Sequence, residues 1–315
     1  MAIAVSPIPA VNVAAVPQRS PLRYPGGKTW LIPHVRVWLR SVKRPRLLIE
    51  PFAGGGIVSL TAVMENLVDE ALMAEIDQDV AALWKAALHF GPELAARISS
   101  FTLTRESVVE LASQRPADVV EHGFRTLVLN RTRRGGILAP GASFTRKGEN
   151  GAGIASRWYP NTLIRRLRAI SEVAPRITFR ETDGMQMLAA LLGQPHDDVA
   201  LFVDPPYTGG GGKRAGKRLY AHNDIDHARL FSMLADSSAD FLMTYDRSLE
   251  IESLIELHEF HAVQVMMKSG HHTRLPELVI TRQPTFYEAD SLARELRPES
   301  ARRRIRASWR EPAAS

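Results

Sequence analysis

The sequence predicts an α/β protein built on a parallel, doubly wound sheet with a mostly helical insertion. Two observations carry that prediction. Short apolar runs alternate with helix-periodic segments at both ends of the chain, and a long arginine-rich stretch of different character lies between them. The 315 residues are 45% hydrophobic and 23% charged, which suits one large domain with an insertion better than a disordered or membrane chain.

The first sheet half opens at Arg46–Glu50 (RLLIE), an apolar run that halts at Pro51 and enters Gly54, Gly55 and Gly56; Ile57–Glu65 then has helical spacing. A second run, Glu70–Ile76, ends in the acids Glu75 and Asp77, and Val80–Leu88 reads as helix. The pattern resumes with strands at Ile177–Arg180, Val199–Val203 and Phe241–Thr244, then a terminal pair, Ala262–Met267 and Leu278–Thr281. Helix-like runs Met185–Leu192, Ala228–Ala235 and Leu249–Leu257 separate most of them. The expected organisation is a lead-in over 1–20, a core domain formed by 21–90 and 176–290, an insertion over 91–175 and a basic tail over 291–315.

Composition excludes several chemistries. With no cysteine there is no disulfide, thiolate zinc site or cysteine nucleophile. Forty Lys and Arg against 34 Asp and Glu give +6, a mild bias toward polyanionic partners. The first 20 residues lack a basic start and are broken by Pro7, Pro9 and Pro17, so they read as a disordered lead-in, not a signal peptide. No uninterrupted apolar run reaches the roughly 18 residues of a membrane span, and a cytoplasmic protein is expected. The arginines 302, 303, 304 and 306 read as a solvated extension.

Two constellations carry chemistry. Pro51-Phe52-Ala53-Gly54-Gly55-Gly56 follows a strand and has Glu75 about 20 residues on, the spacing of a backbone cradle with an acid for ribose hydroxyls. That spacing alone does not separate a nicotinamide cofactor from S-adenosylmethionine. Leu201-Phe202-Val203 then leads into Asp204-Pro205-Pro206-Tyr207, an acid, two rigid prolines and an aromatic at a strand's carboxyl end. Prolines deny amide donors and leave their carbonyls as acceptors, so an amine with two N–H bonds fits: one to Asp204, one to the Pro205 carbonyl, with Tyr207 stacking on a planar base.

Asp204-Pro205-Pro206-Tyr207, Phe52-x-Gly54-x-Gly56 and Tyr24-Pro25-Gly26-Gly27-Lys28 resemble the three signature segments of the Dam-like class of DNA adenine N6-methyltransferases, in the same order and with an insertion between them. The resemblance runs from about Pro21 to Thr281 and is weakest in the insertion. It implies a Rossmann-like class I methyltransferase sheet with an inserted target-recognition region, S-adenosylmethionine as cofactor, and methyl transfer to a flipped-out adenine. Cofactor contacts are implied for Tyr24, Lys28, Phe52, Gly54, Gly56, Glu75, Asp183 and Asp204, and base contacts for Asp204 to Tyr207. Tyr24 stands where better-known members carry Trp, and Glu75 where Asp is usual. The implied partners are double-stranded DNA and, in a restriction-modification setting, a cognate nuclease acting separately; a monomer is expected. N4-cytosine methylation, RNA adenine methylation and a non-catalytic binding relic are the rival readings: Asp204 argues against the first, the second stays open, and the intact Asp204 to Tyr207 segment together with Lys28 argues against the third.

Asn130, Arg131, Arg133 and Arg134 in NRTRRGG resemble a family segment at the start of the recognition region and suit base-edge reading or phosphate contact. Gly209 to Gly212, followed by Lys213, Arg214, Lys217 and Arg218, suit a loop ordered over DNA phosphates. Arg165, Arg166 and Arg168 read as a basic helix face. No metal is expected: His271 and His272 lack a third ligand at suitable spacing.

Overall fold

The structure, a computed structural model, describes residues 3–5, 13–24, 26–42, 45–139, 141–148, 151–191, 197–206, 225–268 and 274–284. Tyr207, Lys213, Arg214, Lys217, Arg218, His271, His272 and the basic tail lie outside the described residues.

Eight strands form one sheet: β1 (Ala4–Val5), β2 (Leu47–Glu50), β3 (Glu70–Glu75), β4 (Ile177–Glu181), β5 (Val199–Val203), β6 (Asp240–Asp246), β7 (His261–Lys268) and β8 (Arg274–Thr281). Their order is β1-β7-β8-β6-β5-β2-β3-β4. β4, β3, β2, β5 and β6 are mutually parallel, and β8 enters antiparallel between β6 and β7. The chain winds outward from β2 to β4, then returns past β2 to β5 and winds the other way. The switch point between β2 and β5 is where ligands bind in open α/β sheets. This is the α/β, Rossmann-like architecture expected from the strand pattern.

Period-two alternation sends successive strand residues to opposite faces. Leu48, Ala71, Met73, Phe202 and Leu242 enter one core, while Ile49, Leu72, Ala74, Leu201, Val203 and Phe241 enter the other. The second core is covered by α8 (Gly184–Leu191), α9 (His227–Asp236) and α10 (Leu249–Leu257). The first is covered by α1 (Ile32–Ser41), α2 (Ile57–Met64) and α3 (Gln78–His89). Asp77 caps α3, accepting from the amides of Asp79 and Val80 at 2.9 and 3.1 Å.

The stretch expected as an insertion supplies α4 (Gly91–Ser100), α5 (Arg105–Ser113), α6 (Val119–Thr132) and α7 (Pro160–Val173). These helices share the first core instead of forming their own, through Leu94, Ile98, Phe124, Leu127, Leu163 and Leu167. Gly123 lets α6 approach α3 closely: a Cβ there would lie 3.0 Å from the Ala82 carbonyl oxygen. The lead-in also departs from expectation. Ala4–Val5 pairs with β7, Val16 is buried in the first core, and Arg19 donates to Glu65 at 2.8 Å. Burying Val16 supplies stabilisation that its proline-broken surroundings concealed in the sequence.

Candidate active site at the carboxyl ends of the parallel strands

Three chain segments meet at Gly54. Its backbone is left-handed (φ +47°), and a Cβ would strike the Tyr24 ring at 2.6 Å, so the aromatic of the N-terminal segment lies directly against the turn after β2. The Gly54 amide donates to Glu75 Oε2 at 3.0 Å, and its carbonyl accepts from Trp84 Nε1 at 2.9 Å. Gly56 (φ +57°) begins α2, with no room for a Cβ between Met73 and Trp84. Glu75 Oε1 takes the amides of Ile76 and Asp77, each at 3.0 Å. Burial nonetheless pushes the Glu75 carboxyl above the ordinary range, with the nearby Asp77 charge adding to the push. Next along the sheet edge, after β4, Asp183 accepts from the Gln186 amide at 2.8 Å at the start of α8, and Gly184 packs on the Phe52 ring.

Across the switch point, after β5, stands Asp204. Its Oδ1 accepts from Thr244 Oγ1 on β6 at 2.8 Å and pairs with Lys28 Nζ at 2.9 Å. Lys28 heads the turn that leads into α1 and also reaches the Gly26 carbonyl at 2.9 Å and Glu277 Oε1 on β8 at 3.1 Å. All three of its ammonium protons are therefore directed at acceptors. The resemblance assigned Lys28 to the cofactor; here it is bound to the acid of the Asp-Pro-Pro segment. Pro205 is buried and Pro206 half-buried beside it.

Beneath both halves lies Glu50, the last residue of β2 and fully enclosed. It accepts from the amide of Ser59 at 3.0 Å and from its hydroxyl. Burial foremost, with the charge of Asp204 as a smaller contribution, raises its pKa to about 8. The sequence reading passed over Glu50, Thr244 and Glu277. An acid closing an apolar strand was the available signal for Glu50; nothing short of the β6–β8 register could pair Glu277 with Lys28.

The arrangement offers acceptors to a ligand bearing hydroxyl and amine donors. An oriented acid, a glycine turn and two aromatic rings border one side of the switch point, and a held carboxylate borders the other. Residues 24–113 match the family model of the D12 class N6 adenine-specific DNA methyltransferase. The match marks the chain as an adenine-specific DNA methyltransferase. It spans the Tyr24–Lys28 segment, the glycine turn and Glu75, and ends before Asp204. No curated protein matches the chain. Among the described residues of the methyltransferase, no helix is long and apolar enough to cross a membrane.

The methyltransferase uses its NRTRRGG segment differently from the base-reading expectation. Asn130 is fully buried: its Oδ1 accepts from the Arg23 amide at 2.8 Å, and its Nδ2 donates to the carbonyls of Arg23 at 2.9 Å and Gly136 at 2.8 Å. Arg131 is buried against the Pro21 carbonyl, and burial, aided by Arg166, Arg23 and Arg157, lowers its pKa to about 9. Both side chains face inward and clamp the N-terminal segment onto α6, which leaves neither edge for a base. Arg133 is half-buried and donates to the Leu138 carbonyl at 2.8 Å, whereas Arg134 is exposed. Arg166 also binds the N-terminal segment, at the Ser20 carbonyl, 2.8 Å away.

Proposed function

We propose that the enzyme methylates the exocyclic N6 of an adenine rotated out of double-stranded DNA, with S-adenosylmethionine as donor, acting as a cytoplasmic monomer at a specific DNA site. The observation that carries this reading is Asp204, fixed at the switch point beside the Gly54–Glu75 unit with Oδ2 lacking a partner among the described residues.

Glu75, the turn at Gly54 and Gly56, Tyr24, Phe52 and Asp183 are the residues that would hold the cofactor. When bound, it supplies a methyl group on a positively charged sulfur. The chain's own part is positioning. Asp204 Oδ2 accepts one N6–H and the Pro205 carbonyl the other, which holds the amine and draws its nitrogen toward tetrahedral geometry, so that the lone pair leaves the ring system. The proton that N6 sheds on methylation leaves through the carboxylate. A base inside the duplex cannot reach this edge, so flipping costs a few kcal/mol, offset by stacking on Tyr207. Arg133 and Arg134, with Lys213, Arg214, Lys217 and Arg218, supply DNA contact.

The test is incubation of the full-length protein with tritiated S-adenosylmethionine and unmethylated genomic DNA, followed by nucleoside analysis. Label in N6-methyl-2′-deoxyadenosine is the expected result. Label in N4-methylcytosine, or none despite measurable cofactor binding, overturns the assignment.

A further inference from the structure

We propose that Glu277 is a positioning residue for methyl transfer, acting on Asp204 through the lysine that the two carboxylates share. This rests on the reading of Asp204 as the group that binds the target amine.

Lys28 and Glu277 are almost wholly enclosed, with side-chain exposures of 4% and 3%. An enclosed ammonium needs acceptors, and this one has two carboxylates, at 2.9 Å and 3.1 Å. Glu277 reaches it because β8 is inserted antiparallel beside β6, which sets Glu277 opposite Asp246, two residues beyond Thr244. Thr244 and Lys28 then both engage the same oxygen of Asp204, Oδ1. Two donors on one oxygen stop the carboxylate from turning and present Oδ2 as the acceptor for N6–H.

Glu277 governs how much of the lysine's charge Asp204 feels. Shared between two carboxylates, the ammonium anchors Oδ1 without drawing off the electron density that Oδ2 needs as an acceptor. Paired with Asp204 alone, it would close on that carboxylate and weaken it as an acceptor, the more so in an enclosed, low-dielectric site. The loss would fall on the transfer step, where the N6–H bonds strengthen, and not on binding.

The test measures single-turnover methyl transfer with the full-length enzyme at saturating S-adenosylmethionine and DNA, alongside the affinities for both. Glu277→Gln is expected to slow transfer about tenfold with both affinities within about twofold of wild type, and Glu277→Asp to sit between, about threefold slow. In a Lys28→Gln background either change is expected to cost almost nothing further, because the residue through which Glu277 acts is gone. Transfer by Glu277→Gln at the wild-type rate, or the same factor lost in both backgrounds, overturns the proposal. Should Glu277→Gln fail to fold, Glu277→Asp decides in the same two backgrounds: a loss confined to the Lys28 background supports the proposal, and no loss, or an equal loss in both, overturns it. Asp204→Ala separates the two levels. An active Asp204→Ala removes the reading of Asp204 and this proposal with it, whereas an inactive Asp204→Ala beside an unimpaired Glu277→Gln removes this proposal alone.

Discussion

The carboxylate of Glu75 accepts the Gly54 amide at 3.0 Å, so the acid that ends β3 and the turn that follows β2 form one hydrogen-bonded unit. Three backbone amides hold this side chain, two on Oε1 and one on Oε2. Glu75→Ala is therefore expected to act twice. It removes the acceptor for ribose hydroxyls, weakening S-adenosylmethionine binding by roughly tenfold or more, and it strands buried amides at a cost of about 1–3 kcal/mol of stability. Calorimetric titration and thermal melts of the same sample separate the two effects. A variant that loses stability but binds the cofactor normally would remove Glu75 from the site.

Gly54→Ala tests the other half of that unit. The position combines a left-handed backbone with a Cβ site occupied by the Tyr24 ring at 2.6 Å. The backbone alone costs about 1–3 kcal/mol for a residue other than glycine, and the ring must also move. Tyr24→Ala in the same chain makes room for the methyl group but leaves the backbone strained. The double variant should therefore regain only part of the lost melting temperature. Full recovery would show that packing, not conformation, requires glycine there.

Much of this architecture was legible because strands buried on both faces write short, continuous apolar runs bounded by turn residues. β5 and α10 have the expected bounds, and β2 and β3 begin or end within a residue of expectation. What was not legible depends on partners far away in sequence. An arginine fork or an asparagine amide suits a base edge and a backbone carbonyl equally well. Only contact with Arg23 and Pro21, more than a hundred residues upstream, turned Asn130 and Arg131 inward. β8 starts at Arg274, earlier than its apolar run, because pairing with β7 carries it back across Arg274, Leu275 and Pro276; Glu277 thereby falls inside the strand.

Glu50 makes stability depend on pH in a definable window. Its carboxyl titrates near 4.5 when unfolded and at about 8 in the fold. Below about pH 4.5 both states are protonated and nothing is lost. Between there and about pH 8 the unfolded chain releases a proton that the folded chain keeps, so this residue's contribution declines as pH rises, then levels off above about 8. The full decline is on the order of 3–5 kcal/mol. Glu50→Gln imitates the neutral acid and abolishes it. Urea unfolding at pH 5, 7 and 9 is expected to show the variant gaining stability relative to wild type as pH rises. A difference that stays constant with pH would mean that Glu50 is ionised in the fold.

Asn130 and Arg134 sit four residues apart and should fail in opposite ways. Asn130 makes three hydrogen bonds to backbone groups while fully buried, so Asn130→Ala leaves an amide and two carbonyls without partners and is expected to cost about 3 kcal/mol. DNA affinity measured on the fraction that remains folded should hardly change. Arg134 is exposed. Arg134→Ala should leave the melting temperature within error and weaken DNA binding about equally across sequences, with the salt dependence of log K falling by about one unit if its role is a phosphate contact. A loss confined to one target sequence would instead make Arg134 a reader of a base edge, which a salt titration against matched and mismatched duplexes distinguishes directly.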